Sequence, residues 1–119
     1  MISGIGTDLI EIERVRKACK REGFLKKYYT EKEIKEFGER HIQLAGNFAA
    51  KEAVVKSLGT GFAGCGPIDI EVLRDEMGKP YINLYGGAKS IAEKKNIKNI
   101  YVSITNTSEY AQAFAVSEK

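Results

Sequence analysis

Three side chains carry the types and spacing that chemistry needs: Asp8, Glu52 and Lys56. Two carboxylates supply part of the six-oxygen shell that Mg²⁺ prefers, and such sites leave the remaining positions to phosphate oxygens and water. A lysine one helical turn beyond Glu52 would neutralise phosphate charge. Together the three read as a diphosphate and metal constellation. Each also has a plainer reading. Asp8 stands just past a predicted first strand, at the edge of a basic helix, where aspartate is a good N-cap. Glu52 and Lys56 are four apart in the favourable order for a surface ion pair worth about 0.3–0.5 kcal/mol. The neighbourhood argues for the chemical reading, because Glu52 and Lys56 border a stripe of small residues, Ala45, Ala49 and Ala53, at the margin of a packed face.

Other chemistries fail on composition. Gly4-Ile5-Gly6 follows a strand, but Leu9 stands where a dinucleotide fingerprint needs its third glycine. Residues 59–66 hold four glycines but no Gly-Lys-Ser/Thr, so they are no Walker loop, and as a flexible loop they need no function. One histidine (His41) and two scattered cysteines (Cys19, Cys65) cannot build a zinc site. Those cysteines read as buried thiols in a reducing compartment more readily than as a disulfide. No apolar run approaches the roughly 18 residues of a membrane span, and the N-terminus lacks the pattern of a secretory signal. Cytoplasm is the expected compartment.

The net charge of +3 is too small to interpret as a total, but it is unevenly placed. Residues 10–29 hold seven cations and three anions, and the rest of the chain sums to −1. Arg14, Lys17 and Arg21 fall on one face of a helix predicted over 12–21, opposite Ile12, Val15 and Cys19. Such a stripe suits an acidic partner.

These groups need a frame, and the pattern predicts one. Residues 2–10 read as a strand leading into a helix. Phe24, Leu25, Tyr28 and Tyr29 form an apolar and aromatic knot. Thr30 and Glu33 make a capping box for a short helix that ends at Gly38. A long helix runs from His41 to Leu58 with Gly59 as its C-cap. Ile68, Ile70 and Val72 alternate with Asp69 and Glu71, and the turn at 75–79 leads into Tyr81–Tyr85 as a hairpin. Residues 87–95 read as a helix. A second hairpin joins Ile100–Thr105 to Tyr110–Val116. A chain of 119 residues with this order predicts one α+β domain, 1–119, with a mainly antiparallel sheet packed against helices on one face.

The runs Gly4-Ile5-Gly6-Thr7-Asp8-Leu9 through Glu13-Arg14, and Phe48-Ala49-Ala50-Lys51-Glu52-Ala53-Val54-Val55-Lys56, resemble the holo-acyl-carrier-protein synthases, the short bacterial 4′-phosphopantetheinyl transferases. The resemblance continues through Gly59-Thr60-Gly61, Gly78-Lys79-Pro80-Tyr81, Val102-Ser103-Ile104-Thr105 and Glu109-Tyr110-Ala111, so it spans nearly the whole chain. It implies a 4′-phosphopantetheinyl transferase-like fold. It implies an Mg²⁺-dependent transfer of 4′-phosphopantetheine from coenzyme A to a serine of apo acyl carrier protein. That transfer would release adenosine 3′,5′-bisphosphate and support fatty acid biosynthesis. Asp8 and Glu52 match the family's metal ligands, and Lys56 a lysine near the diphosphate. Lys56, Gly59, Thr60 and Gly61 match coenzyme-binding positions. Arg14 and the basic positions after it, Lys17 and Arg21, match the carrier-docking helix. The resemblance also implies a homotrimer with active sites between subunits. Glu52, a metal-activated water or a residue of the carrier could take the serine proton, and His41 is a weaker candidate.

Two positions depart from the family. Asn47 stands where members often have Arg, and Asn106 where they often have His, both near the coenzyme A 3′-phosphate. Arg40, His41 or the asparagines as neutral donors would have to serve instead. Two other classes compete with the transferase: a non-catalytic carrier-binding module and a nucleic-acid binder. Intact Asp8, Glu52 and Lys56 favour the enzyme over the first. Cations confined to one helix, with no basic-aromatic platform on the strands, argue against the second.

Overall fold

A computed structural model of the chain describes residues 1–119. Strand β1 (Ile2–Glu11) leads directly into helix α1 (Ile12–Ala18), followed by α2 (Phe24–Tyr28), α3 (Glu31–Phe37) and the long α4 (His41–Leu58). A glycine-rich loop and a 3-10 turn at Pro67–Asp69 lead to β2 (Ile70–Arg74) and β3 (Pro80–Leu84). Helix α5 (Gly86–Lys94) and strands β4 (Asn99–Asn106) and β5 (Tyr110–Glu118) complete the chain. All strand pairs are antiparallel, as the α+β reading expects. They form two sheets rather than one: β1-β5-β4 and β2-β3, with β3 beside β4 but unpaired to it.

Helix α4 lies on the inner face of the three-stranded sheet, and two glycines set how closely. A Cβ on Gly4 would stand 2.1 Å from the Ser57 carbonyl oxygen, and one on Gly6 2.0 Å from that of Ala53. Only a bare backbone admits the helix there. The alanine stripe completes the fit from the helix side: Ala45, Ala49 and Ala53 are fully buried. Its partner is therefore this chain's own sheet. Across the sheet, buried Ala111, Ala113 and Ala115 alternate with exposed Gln112 and Phe114.

Several local expectations shift. Helix α1 ends at Ala18, because the Lys20 and Arg21 amides bond back only three residues, to Lys17 and Ala18, and tighten the chain into a turn. Arg21 thus leaves the helix but stays exposed. The aromatic knot contains a helical turn, with the Phe24 and Tyr28 rings 4.9 Å apart and the Tyr29 hydroxyl donating to the Leu44 carbonyl at 2.8 Å. Glu71 is buried rather than solvent-facing. It accepts from the Thr30 hydroxyl at 2.6 Å, Asn83 at 3.1 Å and the Tyr85 hydroxyl at 3.0 Å, so α3 and β3 cover the face that alternation assigns to water.

Candidate active site

Asp8 lies inside β1, whose pairing runs on to Glu11, and the N-cap position of α1 is Glu11 without a side-chain bond. The capping reading of Asp8 therefore gives way. Its carboxylate instead faces α4, 3.6 Å from the Lys56 ammonium, which also donates to the Thr7 carbonyl at 2.8 Å. Glu52 forms no ion pair with Lys56; the lysine crosses to the strand. Helix spacing brings Phe48, Glu52 and Lys56 onto one flank of α4, at successive intervals of four.

Asp8 and Glu52 open on one cavity of about 430 Å³. Arg14 and Arg21 lie at its margin, and Phe24, Tyr28 and Phe48 form its aromatic wall. Two of the three cations of the basic stripe, Arg14 and Arg21, thus share the cavity of the carboxylates. Arg16 is neutralised by Glu13, with its Nε donating at 2.7 Å, whereas Arg14, Lys17 and Arg21 have no carboxylate within 4.0 Å. The Arg21 guanidinium lies 5.7 Å from the Phe24 ring centroid.

Burial pushes the Asp8 carboxyl above its usual range, and Lys56 only partly opposes this. Burial also pushes Glu52 up, and the charge on Asp8 pushes it further. Two half-buried carboxylates that repel each other are a pair that a cation relieves. No third Asp, Glu, His or Cys joins them. The donor set is hard oxygen and fits part of an Mg²⁺ shell.

Gly59 caps α4 in the left-handed conformation (φ +80°), one turn beyond Lys56, and the Thr60 hydroxyl donates to the Gly61 carbonyl at 3.2 Å. None of these three lines the carboxylate cavity. His41 opens on a different cavity, with Arg16, Cys19 and Lys20. Asn47 is fully buried, donating to Glu33 at 3.0 Å and to the Val72 carbonyl at 2.9 Å, so it cannot serve a surface ligand as a neutral donor. Asn106 is exposed at the end of β4.

Sequence reading passed over two features. Tyr28 and Phe48 wall the cavity, and the spacing of Phe48 to Glu52 was the available signal. Lys51, beside Glu52, is fully buried: its ammonium meets Glu33 at 2.6 Å and the carbonyls of Pro67 and Ile70 at 2.9 Å and 2.5 Å. It also lies 5.4 Å from the Tyr29 ring centroid. No local pattern marks a lysine as buried.

The chain belongs to the 4′-phosphopantetheinyl transferase superfamily, whose model matches residues 4–115. Within it, the chain groups with the holo-[acyl-carrier-protein] synthases and is a transferase of that kind. It is 56% identical over 118 residues to the holo-[acyl-carrier-protein] synthase of Lachnoclostridium phytofermentans, covering 99% of this chain and 97% of that one. The crystal structure of the Neisseria meningitidis holo-[acyl-carrier-protein] synthase matches with a TM-score of 0.90 at 33% identity, covering all of both chains. That of the Helicobacter pylori enzyme in complex with coenzyme A matches with a TM-score of 0.87 at 30% identity, covering 96% of this chain and 99% of that one.

Proposed function

We infer that this chain, working as one domain over residues 1–119, transfers the 4′-phosphopantetheine of coenzyme A to a serine of apo acyl carrier protein. The observation that carries the site assignment is the shared cavity of Asp8 and Glu52, with Lys56 ion-paired to Asp8 at 3.6 Å and with Arg14 and Arg21 at the rim. Asp8 and Glu52 would hold Mg²⁺. Bound there, the ion would offset charge on the diphosphate as the bond to the leaving phosphate breaks. Lys56 holds Asp8 in place and presents a positive charge beside it. Gly59, Thr60 and Gly61 form the turn on which the nucleotide half of the coenzyme rests. Arg14, Lys17 and Arg21, free of carboxylate partners within this chain, receive the acidic carrier, and the aromatic wall shields the reacting groups from water.

The assembly is a homotrimer with sites between subunits. Its support is the outer face of the β1-β5-β4 sheet, where Ile5, Leu9, Tyr101 and Phe114 stand exposed. Leu9 and Asp8 are neighbours on β1 and point to opposite faces, so a second copy on the outer face lies one residue from the site. No helix is long and apolar enough to cross a membrane. Cys19 and Cys65 are both free thiols, which supports a cytoplasmic setting.

The test is intact-mass analysis of apo acyl carrier protein after incubation with coenzyme A, Mg²⁺ and the enzyme. A carrier that gains no phosphopantetheine sinks the reading. Glu52→Gln should nearly abolish transfer while leaving the fold intact, and full activity in that variant would remove the metal role.

A further inference from the structure

Beyond Lys56, the coenzyme-binding turn has a second cation beside it. Lys95, at the end of α5, donates to the Leu58 carbonyl, the last of helix α4. Its ammonium stands 3.3 Å from where a Cβ on Gly59 would be, so the bare backbone of Gly59 leaves it room. Lys95 is half-buried, and no carboxylate lies within 4.0 Å of it. An ammonium has three N–H groups, and the Leu58 carbonyl takes one. Helix α5 is packed in this position: its Ala88 and Ala92, with Ile97 just beyond it, share one core cluster with Leu58 and Val55.

Electrostatics make this placement informative. The C-terminus of α4 presents the negative end of the helix dipole, which by itself repels an anion. Lys56 is already engaged with Asp8 and the Thr7 carbonyl. Coenzyme A carries a diphosphate and a further phosphate on its ribose, the latter near about −2 at neutral pH. A nucleotide seated at Gly59–Gly61 therefore needs a cation that offsets both the dipole and the phosphate.

We propose that Lys95 is a second phosphate-binding residue for coenzyme A, giving its two remaining N–H groups to a phosphate of the nucleotide half at the Gly59–Gly61 turn. The proposal rests on the reading of that turn as coenzyme-binding. Lys95 is a binding residue, and its loss acts on coenzyme affinity ahead of turnover.

Lys95→Gln separates charge from capping, since an amide can still donate to the Leu58 carbonyl. In the Mg²⁺-loaded enzyme, calorimetry should show coenzyme A binding weakened about 3- to 10-fold in this variant, the size of one charge-assisted hydrogen bond in a partly exposed setting. KM for coenzyme A should rise in parallel, with kcat and KM for the carrier changed less than about twofold, and Lys95→Arg should recover most of the loss. Dephospho-coenzyme A identifies the phosphate. A deficit that vanishes with it assigns Lys95 to the 3′-phosphate, and an equal deficit assigns it to the diphosphate. A lowered melting temperature with coenzyme A affinity unchanged in Lys95→Gln and Lys95→Met would leave Lys95 as a helix cap and overturn the proposal alone. A wild-type enzyme that binds no coenzyme A would overturn the transferase reading and this proposal together.

Discussion

The close seat of α4 on β1 makes Gly6→Ala the most informative single change. The added methyl would stand 2.0 Å from the Ala53 carbonyl oxygen, 2.8 Å from the Lys56 Cβ and 2.9 Å from the Ser57 amide nitrogen. Two of these obstacles are backbone and cannot rotate away. To reach ordinary contact the first gap must open from 2.0 Å to about 3.4 Å, which moves the helix from the strand. Overpacking of this kind costs about 1–3 kcal/mol, and rigid neighbours favour the upper end. For a chain of this size the upper end lowers the melting temperature by roughly 8–12 °C.

The same displacement acts on the site. Asp8 is on β1, while Glu52 and Lys56 are on α4, so opening the seam pulls the carboxylates apart and stretches the 3.6 Å contact of Lys56 with Asp8. Misplacement near 1 Å typically costs on the order of 10²-fold in rate. Thermal melts and the intact-mass transfer assay, the latter run well below the variant's melting point, measure the two effects separately. Gly66→Ala is the control, because its Cβ meets nothing within 4 Å. A Gly6→Ala protein with wild-type melting and wild-type transfer would refute the argument that bare backbone at this seam positions the site.

Four further outcomes follow from the same geometry. Arg14→Glu with Arg21→Glu should raise KM for the carrier far more than KM for coenzyme A, and equal effects on both would remove the docking assignment. Lys51→Met should destabilise by about 3–5 kcal/mol in denaturant melts, because it strands the buried Glu33 charge, and adding Glu33→Gln should recover a large part. Burial would raise the Glu71 carboxyl, but the donors Thr30, Asn83 and Tyr85 outweigh it and hold the group below its ordinary value of 4.5. Its stabilisation is therefore present above pH 4.5 and lost as pH falls through the lowered value, so Glu71→Gln should flatten the acid limb of the melting temperature against pH. Phe114→Asp should break the assembly in sedimentation equilibrium and lower transfer, and an unchanged oligomer would free the outer sheet face of that role.

Much of the frame was legible because it depends on local pattern. The capping box at Thr30 and Glu33 is present, with the Thr30 amide donating to Glu33 at 3.1 Å, and α4 runs from His41 to the Gly59 cap as its period predicts. The second hairpin, Ile100–Thr105 with Tyr110–Val116, is present as the paired strands β4 and β5. What stayed illegible depends on long-range pairing. Glu71 alternates like a solvent-facing residue, and only the packing of α3 and β3 over β2 buries it. Asp8 reads as a cap because the strand's length is set by its partner β5, 100 residues away in the chain, whose register continues to Glu11. The chemistry of Asp8, Glu52 and Lys56 was legible as residue types, but the exchange of partners was not. Spacing pairs Lys56 with Glu52, whereas the fold pairs it with Asp8 and leaves Glu52 free in the cavity.

That exchange separates structural carboxylates from functional ones. Glu33 and Glu71 are more deeply buried than Asp8 or Glu52, yet each has its donors in place. Asp8 and Glu52 are less buried and both are pushed up, Glu52 in part by Asp8 itself. A fold that satisfies its deepest carboxylates gives Asp8 only one lysine at 3.6 Å and Glu52 no partner, and so leaves the two in mutual repulsion. The sign of the pH dependence follows. The raised pair stabilises the metal-free fold below the ordinary carboxylate values and loses that contribution as pH rises through the raised ones, the reverse of Glu71. A divalent cation bound between them cancels the repulsion, so Mg²⁺ should raise the melting temperature at neutral pH and have little effect on the Glu52→Gln protein. Lys51 and Glu52 show how one helix serves both ends. Adjacent residues on α4 point about 100° apart. One is thereby locked into the buried network with Glu33, and the other is held, unpartnered, where a substrate can reach it.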